Sequence, residues 1–263
     1  MRTVAIIPAR YNSSRFPGKP LAEINGKPMV WHVHEAAQSV SAIDDVYVAT
    51  DDERISAACE KLNIRFLMTS PRHQSGTDRL AECMGRVNAD FIVNVQGDEP
   101  MIAPEAIERV TRAMQDCRTP TVMASNGFAM LTEAHDVLSQ DVVKVSLTTQ
   151  SMALAFSRFA IPFARGARIP YRKQLGLYCF SRKGLEVFAS LPPGPVELSE
   201  SVEMLRFVEH GHQVLMVEVE DRSVAVDTPL DLQRVQLLMK CGQDQANPGV
   251  QPAPAHHKAL ESA

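Results

Sequence analysis

Residues 6–21 read IIPARYNSSRFPGKPL and join a short apolar strand, Val4–Ile7, to a loop that carries the cations Arg10, Arg15 and Lys19. Fixed cations and backbone N–H groups at the carboxyl end of a strand suit a triphosphate. The loop lacks both the Gly-Lys-Ser/Thr of a Walker A motif and the three closely spaced glycines of a dinucleotide fingerprint. A basic loop is often only solvated, but three cations directly after a leading strand favour a phosphate site.

Composition and charge are those of an ordinary globular protein. The chain has 263 residues, of which 45% are hydrophobic and 22% charged, enough for one sizeable core. Its net charge of −4 argues against a general nucleic-acid surface. No apolar run approaches the roughly 18 residues of a membrane span, and the chain enters its first strand without a secretory segment. We therefore expect a cytoplasmic protein with no nucleic-acid or membrane partner.

The cysteines show no pattern of a disulfide framework or a metal site. The five are odd in number and scattered, and none forms a Cys-x-x-Cys pair. The eight histidines likewise lack metal-ligand spacing. We expect reduced thiols and no structural metal.

Strand-like and helix-like patterns alternate through the first half of the chain. The predicted strands are Val4–Ile7, Val46–Thr50, Arg65–Met68 and Phe91–Val95. The predicted helices are Pro28–Ser39, Asp52–Leu62, Asp78–Val87 and Pro104–Met114, with Asp51 and Asp52 as candidates to cap the second of them. This alternation predicts an α/β fold with a Rossmann-like, mostly parallel sheet covered on both faces.

The second half is richer in strands and predicts a smaller lobe. Its predicted strands are Val142–Leu147, Ala153–Ser157, Leu175–Phe180 and Val214–Val219. A helix over Glu197–Glu209 and a last helix over Leu230–Lys240 complete the pattern. After Cys241 the composition changes to Gln, Pro, Ala and Gly, which predicts a disordered tail over residues 242–263.

Carboxylates follow two of the predicted strands. Asp98 and Glu99 come just after the buried strand at 91–95, and Asp227 stands in the sequence Val-Asp-Thr-Pro. Ligands bind at the carboxyl ends of such strands, and Mg²⁺ prefers one or two carboxylates together with phosphate oxygens and water. Asp98 and Asp227 are therefore candidates to hold Mg²⁺ against a phosphate. Capping of a turn or a helix is the alternative role for each of them.

A series of short motifs runs through about residues 3–240. They are PARY (8–11), RFPGKPL (15–21), GKPM (26–29), VATD (48–51), HQSGTDRL (73–80), NVQGDEP (94–100), VVKV (142–145), FSR with IP (156–158 and 161–162) and VDTP (226–229). With these motifs the chain resembles the 3-deoxy-manno-octulosonate (Kdo) cytidylyltransferases. The motifs occur in family order and are most specific in the first hundred residues.

The resemblance implies a nucleotidyltransferase fold and a reaction. In this family the anomeric hydroxyl of a 2-ulosonic acid attacks the α-phosphate of CTP and releases pyrophosphate. By matching motif, the triphosphate and nucleoside would be bound by Arg10, Ser13, Arg15, Lys19, Ser75 and Gln96. Lys19, Arg15 and Asp98 would be catalytic, and Asp98 with Asp227 would hold Mg²⁺. The choice of cytosine rests on the resemblance alone. A Mg²⁺-bound sugar hydroxyl has a lowered pKa, so we nominate no side-chain base.

Two positions on the sugar side depart from the family pattern. Gln174 stands where the family usually has His, and Met204 stands where it usually has Gln. Replacing Gln by Met removes one acceptor and two donors, a loss that can discriminate between sugar analogues in a buried site. The segment between Pro162 and Gln174 also looks shorter than usual. The substrate is therefore Kdo, 8-amino-Kdo or another 2-ulosonic acid, with neutral drift at both positions as the alternative.

The remaining sugar-side candidates each have a second interpretation. Arg158 could pair with the sugar carboxylate or form a structural salt bridge, and Tyr178 could be a core aromatic. Glu197, Glu200 and Glu203 recur every three residues, which places them on one helix face. Glu200 and Glu203 match family positions that face sugar hydroxyls, whereas Glu197 is expected to be solvated. Leu198, Val202 and Leu205 are expected to form the core stripe of that helix.

We predict one cytidylyltransferase domain over residues 1–241. It comprises a nucleotide body, about 1–125 and 212–241, and a sugar-binding and dimerisation lobe, about 126–211. The resemblance implies a homodimer whose product feeds lipopolysaccharide or capsule assembly. A sialic-acid-type cytidylyltransferase and a catalytically silent sugar-nucleotide sensor are the alternatives. The loop and the HQSGTDRL motif argue against the first, and retention of Lys19, Asp98 and Asp227 argues against the second.

Overall fold

A central β-sheet with helices on both faces organises the chain. The computed structural model describes residues 1–13, 15–73, 75–166, 169–221 and 223–246. The described strands are β1 (Thr3–Ala9), β2 (Glu23–Ile24), β3 (Lys27–Pro28), β4 (Asp45–Thr50), β5 (Phe66–Met68), β6 (Phe91–Asn94), β7 (Val122–Met130), β8 (Lys144–Leu147), β9 (Ala153–Ser157), β10 (Arg172–Ser181) and β11 (Gln213–Glu218). The described helices are α1 (Met29–Gln38), α2 (Glu53–Lys61), α3 (Gly76–Met84), α4 (Pro104–Asp116), α5 (Ala134–Leu138), α6 (Arg182–Ser190), α7 (Pro195–Glu200), α8 (Leu205–Glu209) and α9 (Pro229–Ala246).

The main sheet is mostly parallel, as predicted, with one antiparallel strand near its centre. Its order is β11-β7-β10-β6-β1-β4-β5, and β8 and β9 extend it from β10. β1 pairs in parallel with β4 and β6, whereas β10 runs antiparallel to β6 and β7. The body and the strand-rich part therefore share one sheet. The predicted boundary between residues 125 and 126 falls inside β7, and the division into body and lobe stays a prediction.

Alternation along β1 divides the core into two layers. Ala5 and Ile7 pack with α1 and α4 on one face, whereas Val4 and Ile6 pack with α3 and α6 on the other. Full burial of an aliphatic side chain such as Ile6 stabilises the folded state by about 1.5–3 kcal/mol relative to leaving that side chain exposed. Because both faces are covered, the strand is apolar throughout and its carboxyl end is fixed in space.

Most of the predicted elements are confirmed within a few residues. The side chain of Asp52 caps α2 by accepting a hydrogen bond from the Arg54 amide at 2.9 Å. Pro104 opens α4 at its first turn. Cys59, Cys83 and Cys179 are buried free thiols, whereas Cys117 is half-buried and Cys241 is exposed.

The prediction of one helix over Glu197–Glu209 is wrong. The chain forms α7 and α8, separated at Ser201, whose φ of 54° lies in the left-handed region. Glu197 is buried and paired with Arg206 instead of being solvated. Leu198 is 68% exposed and does not belong to the core. The break lets the three predicted glutamates reach different partners, so they do not form one face.

Other differences lie at segments with weak sequence signals. β7 and α6 were not predicted, and α9 extends through Ala246 into the first five residues of the predicted tail. The remaining predicted tail, 247–263, lies outside the described residues. Among the helices described here, none combines the length and apolar character that crossing a bilayer requires.

Candidate active site

The loop after β1 closes on itself, and its cations Arg10 and Lys19 line a cavity. The carbonyl of Tyr11 accepts hydrogen bonds from the amides of Ser13, at 3.1 Å, and Gly18, at 2.7 Å. Gly18 has a φ of 73°, which lets the chain turn there and begin the short 3-10 segment Lys19–Leu21. The ring of Tyr11 lies against Gly18, so little space remains for a side chain.

The loop and the end of β6 enclose a cavity of about 350 Å³. Arg10, Ser13, Lys19, Gln96 and Asp98 all line it, so the structure brings these predicted site residues together. The enclosing loops touch at Gly97, where a Cβ atom would lie 2.7 Å from the carbonyl oxygen of Pro8. A side chain at position 97 would therefore separate the two loops and open the cavity.

Lys19 joins the two predicted metal-binding carboxylates. Its Nζ lies 2.6 Å from Oδ2 of Asp98 and 3.0 Å from Oδ1 of Asp227. Arg15 binds the second oxygen of Asp227, with Nη2 2.9 Å from Oδ2. Burial lowers the pKa of the Lys19 ammonium, but the two carboxylates outweigh burial and leave that pKa raised. Lys19 therefore stays cationic, as a phosphate ligand must.

Two sets of hydrogen bonds place Asp227 beside Asp98 without using its carboxylate as a helix cap. The amide of Val226 donates to the carbonyl of Asp98 at 2.8 Å, which joins the two carboxylate-bearing segments. Asp231, not Asp227, caps the start of α9 by accepting from the amide and the hydroxyl of Thr228, each at 2.8 Å. The alternative role of Asp227 as a helix cap is therefore taken by its neighbours.

The carboxylate pair fits a magnesium ion. Oxygens of Asp98 and Asp227 already converge on one cation, the Lys19 ammonium, beside a cavity lined with phosphate-binding groups. Mg²⁺ commonly binds through one or two carboxylates, with substrate phosphates and water completing the shell. Glu99 is less suited, because burial and then the nearby Asp98 charge raise the pKa of its carboxyl to about 7.

Arg10 and Ser75 connect the first loop to α3. Nη2 of Arg10 donates to the carbonyl of Ser75 at 3.0 Å, and Ser75 caps α3 by accepting from the amide of Asp78 at 3.1 Å. Burial, followed by the nearby Arg79, lowers the pKa of the Arg10 guanidinium. Arg10 is therefore a partly desolvated cation, placed where an anionic ligand would offset its cost.

A larger cavity of about 890 Å³ continues from the first. Both cavities are lined by Arg10, Gly76 and Asp98, and the larger one also reaches Arg15 and Glu203. A ligand in the larger cavity would therefore lie beside a ligand in the smaller one. This is the geometry that transfer between two substrates requires.

The predicted sugar-side residues Glu203, Glu200 and Arg158 make structural contacts. Glu203 binds the first turn of α3 by accepting from the amide of Gly76, at 3.0 Å, and from the hydroxyl of Thr77. Glu200 accepts from Ser157 Oγ, at 2.7 Å, and from the amide of Arg158, at 2.8 Å. The Arg158 guanidinium donates to the carbonyls of Glu200, at 2.7 Å, and Gln140, at 2.9 Å. Of these three, only Glu203 lines the larger cavity.

Gln174 and Tyr178 line a third cavity of about 250 Å³, which shares Glu203 with the larger one. Nε2 of Gln174 donates to the Tyr178 hydroxyl at 3.2 Å, and burial raises the pKa of that hydroxyl. Met204 is fully buried and packs in the hydrophobic cluster around Phe207. The departure at position 204 therefore supplies core packing behind the cavity, whereas the one at position 174 forms part of its wall.

Sequence reasoning assigned no role to Arg206, which lines the larger cavity. Its guanidinium bonds to Glu197, with Nη2 2.7 Å from Oε1, and to Asp78, with Nη1 3.2 Å from Oδ1. Asn126, fully buried beside Gln174, was also missed. Arg206 lies two residues after Met204, one of the two positions that depart from the family pattern, and this proximity was the available signal. Asn126 lies in a strand that was not predicted, so no signal pointed to it.

A substitution at Gly18 tests the phosphate-loop interpretation. In Gly18→Ala the left-handed conformation costs about 1–2 kcal/mol, and the new methyl group would lie 3.1 Å from the Tyr11 ring. We expect CTP affinity, measured by calorimetry, to fall by about 5–30-fold. Gly26→Ala is the matched control, since Gly26 also has a positive φ of 77° but no neighbouring atom within 4 Å. Equal effects on CTP binding at both positions would contradict the interpretation.

Comparisons with known proteins agree with this geometry. The family described as Cytidylyltransferase matches residues 4–218. A 3-deoxy-manno-octulosonate cytidylyltransferase of Geobacter sulfurreducens is 43% identical over 247 residues, covering 89% of this chain and 98% of that protein. An 8-amino-3,8-dideoxy-manno-octulosonate cytidylyltransferase of a Shewanella species is 42% identical over 246 residues, covering 92% of this chain and 100% of that protein.

A solved structure is similar along the same length. It is a CMP:2-keto-3-deoxy-manno-octonic acid synthetase in complex with CTP, with 40% identity and a TM-score of 0.87. The match covers 92% of this chain and 100% of that one. The resemblance seen in the short motifs therefore extends to the whole arrangement of strands and helices.

Proposed function

Because this chain belongs to the cytidylyltransferase family, we propose that it transfers CMP from CTP to the anomeric hydroxyl of a Kdo-type acid sugar and releases pyrophosphate. One observation carries the proposal: Lys19 bridges Asp98 and Asp227 beside the cavity formed by the basic loop. Relatives with the matching activities in their names are 42–43% identical over nearly the whole chain.

The first cavity suits the nucleotide. Lys19 and Arg10 line it and provide cations for the phosphates, Arg15 adjoins them through its pair with Asp227, and the amides of the closed loop can donate to phosphate oxygens. Gln96 lines the same cavity, and we assign it to the nucleoside. Fixed charges of this kind stabilise the pentavalent arrangement at the α-phosphate without having to reorganise during the reaction.

The step itself is a substitution at phosphorus. The anomeric oxygen of the sugar bonds to the α-phosphorus, the bond from that phosphorus to the bridging oxygen breaks, and pyrophosphate leaves with the electron pair. When bound, Mg²⁺ would lower the pKa of the attacking hydroxyl and neutralise phosphate charge. Asp98 and Asp227 would hold the ion, while Lys19 and Arg15 would stabilise the charge on the leaving pyrophosphate. The proton of the hydroxyl is released to solvent.

Pyrophosphate release tests the proposal directly. The chain would be incubated with CTP, Mg²⁺ and, in separate reactions, Kdo, 8-amino-Kdo and N-acetylneuraminate. We expect release with a Kdo-type sugar that stops when EDTA is added and resumes with excess Mg²⁺. Release with N-acetylneuraminate alone would favour the sialic-acid-type enzyme. No release with any sugar, despite CTP binding, would favour a sensor.

We also propose that two copies associate through the strand-rich lobe. Leu138, Phe159 and Phe163 are 77%, 72% and 85% exposed. A largely apolar groove of about 460 Å³ lies in the same lobe and includes Leu138 and Ile169. Apolar side chains this exposed on one lobe suit an interface between identical chains.

Light scattering tests the association. We expect a dimer for the unchanged chain and a monomer for the double variant Phe159→Ser and Phe163→Ser. A monomeric unchanged chain would refute the association. The buried free thiols support a cytoplasmic enzyme, whose product we place in lipopolysaccharide or capsule assembly.

A further inference from the structure

One buried amide determines how the wall of the sugar-side cavity presents its hydrogen-bonding groups. Asn126 lies in β7 and is completely buried. Its Nδ2 donates to the carbonyls of Leu175, at 2.8 Å, Leu177, at 2.9 Å, and Gly127, at 3.2 Å. Because all three neighbours are acceptors, the nitrogen must lie on this side of the amide. The oxygen Oδ1 therefore faces the opposite way.

That oxygen in turn fixes the orientation of Gln174. Oδ1 of Asn126 can only accept, so the Gln174 atom 3.1 Å away must be the donor Nε2. The second hydrogen of Nε2 is directed to the hydroxyl oxygen of Tyr178, at 3.2 Å. Both donors of the Gln174 amide are thereby used. Its Oε1, which has no hydrogen-bond partner among the described residues, remains as the group that Gln174 offers to the cavity.

The other ionic groups of this cavity reinforce the acceptor character. The carboxylate residues Asp141 and Glu203 line it together with Gln174. The one lysine among the described lining residues, Lys173, is already paired, with Nζ 2.7 Å from Oδ2 of Asp221. The hydroxyls of Tyr178 and Ser201 are further hydrogen-bonding groups of this wall. An ammonium group, with three donors and a positive charge, can bind the Gln174 acceptor and face these carboxylates at once, whereas a hydroxyl group offers one donor and no charge.

We infer that Asn126 is a positioning residue that locks the Gln174 acceptor toward the sugar, so that this wall selects a hydrogen-bond donor and favours an amino substituent over a hydroxyl. The inference rests on the proposed function, because it takes the third cavity to receive part of the sugar. It identifies the amino sugar as the better substrate of the two that the relatives' names mention. Discrimination at such a buried polar contact can exceed tenfold.

Competition between two sugars tests the inference. The measured quantity is the ratio of kcat/KM for 8-amino-Kdo to kcat/KM for Kdo, which does not depend on the fraction of enzyme that is folded. We expect a ratio above one for the unchanged chain. Gln174→Met removes the acceptor at similar volume. Asn126→Ser removes the amide that orients the Gln174 side chain. Each should lower the ratio by about tenfold, while CTP affinity changes far less.

Matched controls separate positioning from folding. Ser125→Ala alters the neighbouring buried residue of β7, whose hydroxyl donates to the Val110 carbonyl at 2.7 Å. Gln115→Met removes an amide that binds Thr3, at 2.8 Å, far along the chain from Gln174. Both controls should keep the sugar ratio even if they lower the melting temperature. If Asn126→Ser does not fold, Tyr178→Phe removes the second bond to the Gln174 amide and should lower the ratio by about threefold.

The outcomes distinguish this inference from the proposed function. Pyrophosphate release with a ratio below one, or a ratio unchanged by the variants, overturns the inference and leaves the proposed function intact. A ratio that falls in Gln174→Met but in neither Asn126→Ser nor Tyr178→Phe overturns the positioning role. If neither sugar is turned over, the proposed function fails. Calorimetric binding of the two sugars in the presence of CTP then decides the inference, and absence of binding overturns it too.

Discussion

Asp98→Asn is expected to lower the rate of pyrophosphate release by about 10²–10³-fold, the size typical for loss of one electrostatic contact to a transition state. The amide keeps the shape of the carboxylate but removes the charge that faces Lys19 at 2.6 Å. Under the proposed function, the substitution would leave Asp227 as the one carboxylate of the pair that can hold Mg²⁺. CTP binding should change by only a fewfold, since Lys19 and the basic loop remain.

The comparison requires a carboxylate in a similar environment elsewhere. Asp45, at the start of β4, is bridged by Arg2 and Arg65 much as Asp227 is bridged by Lys19 and Arg15. Asp45 lines neither of the two adjoining cavities, and ion pairs with exposed partners contribute little to the stability of the fold. Asp45→Asn should therefore leave the rate within about twofold. Undiminished turnover in Asp98→Asn would show that the carboxylate is not part of the reaction. An unchanged chain that binds CTP but turns over no sugar would instead be a sensor.

Arg206→Ala is expected to lower the free energy of unfolding by about 3–5 kcal/mol, the usual cost of removing one partner of a buried ion pair. Arg206 is 4% exposed and Glu197 is 7% exposed. Burial lowers the pKa of the Arg206 guanidinium, but Glu197 and Asp78 outweigh burial and raise it overall. The guanidinium also lies over the Phe188 ring, 3.9 Å from its centroid. The substitution leaves the Glu197 carboxylate buried without its cation.

Urea denaturation measures the effect, and two further variants interpret it. The double variant Arg206→Leu with Glu197→Leu should recover most of the loss, because apolar replacement of a buried pair is often neutral. Arg112→Ala, which breaks an exposed pair with Glu108 on α4, should cost about 0.5 kcal/mol or less. A loss below about 1 kcal/mol in Arg206→Ala would contradict the assignment of a buried, charged pair.

The elements that the sequence predicted well are those with strong local signals. β1 is a continuous apolar strand, and α2 begins at a capping Asp52, so neither depends on distant contacts. β7 contains Ser125, Asn126 and Gly127, which have low strand propensity. Its pairing with β10 and β11 makes it a strand, and such pairing is not visible in local composition.

The same distinction applies to the site. Short motifs identified Lys19, Asp98 and Asp227, because a cation loop and carboxylates after strands carry chemical meaning by themselves. The prediction of one helix over 197–209 is wrong because helical spacing did not reveal the break at Ser201, on either side of which Glu197 and Glu203 bind different partners. Those contacts join residues 9 to 127 positions apart, a separation that spacing rules do not address.

Under the proposed function, the bond between Glu203 and the start of α3 connects the sugar side of the site to the nucleotide side. Glu203 lines the sugar-side cavities, and its carboxylate holds the amide of Gly76, the residue next to Ser75. The carbonyl of Ser75 in turn accepts a hydrogen bond from Arg10, which lines the first cavity. We therefore expect binding at one end to affect binding at the other through these hydrogen bonds. By linkage, the factor by which CTP tightens sugar binding must equal the factor by which the sugar tightens CTP binding.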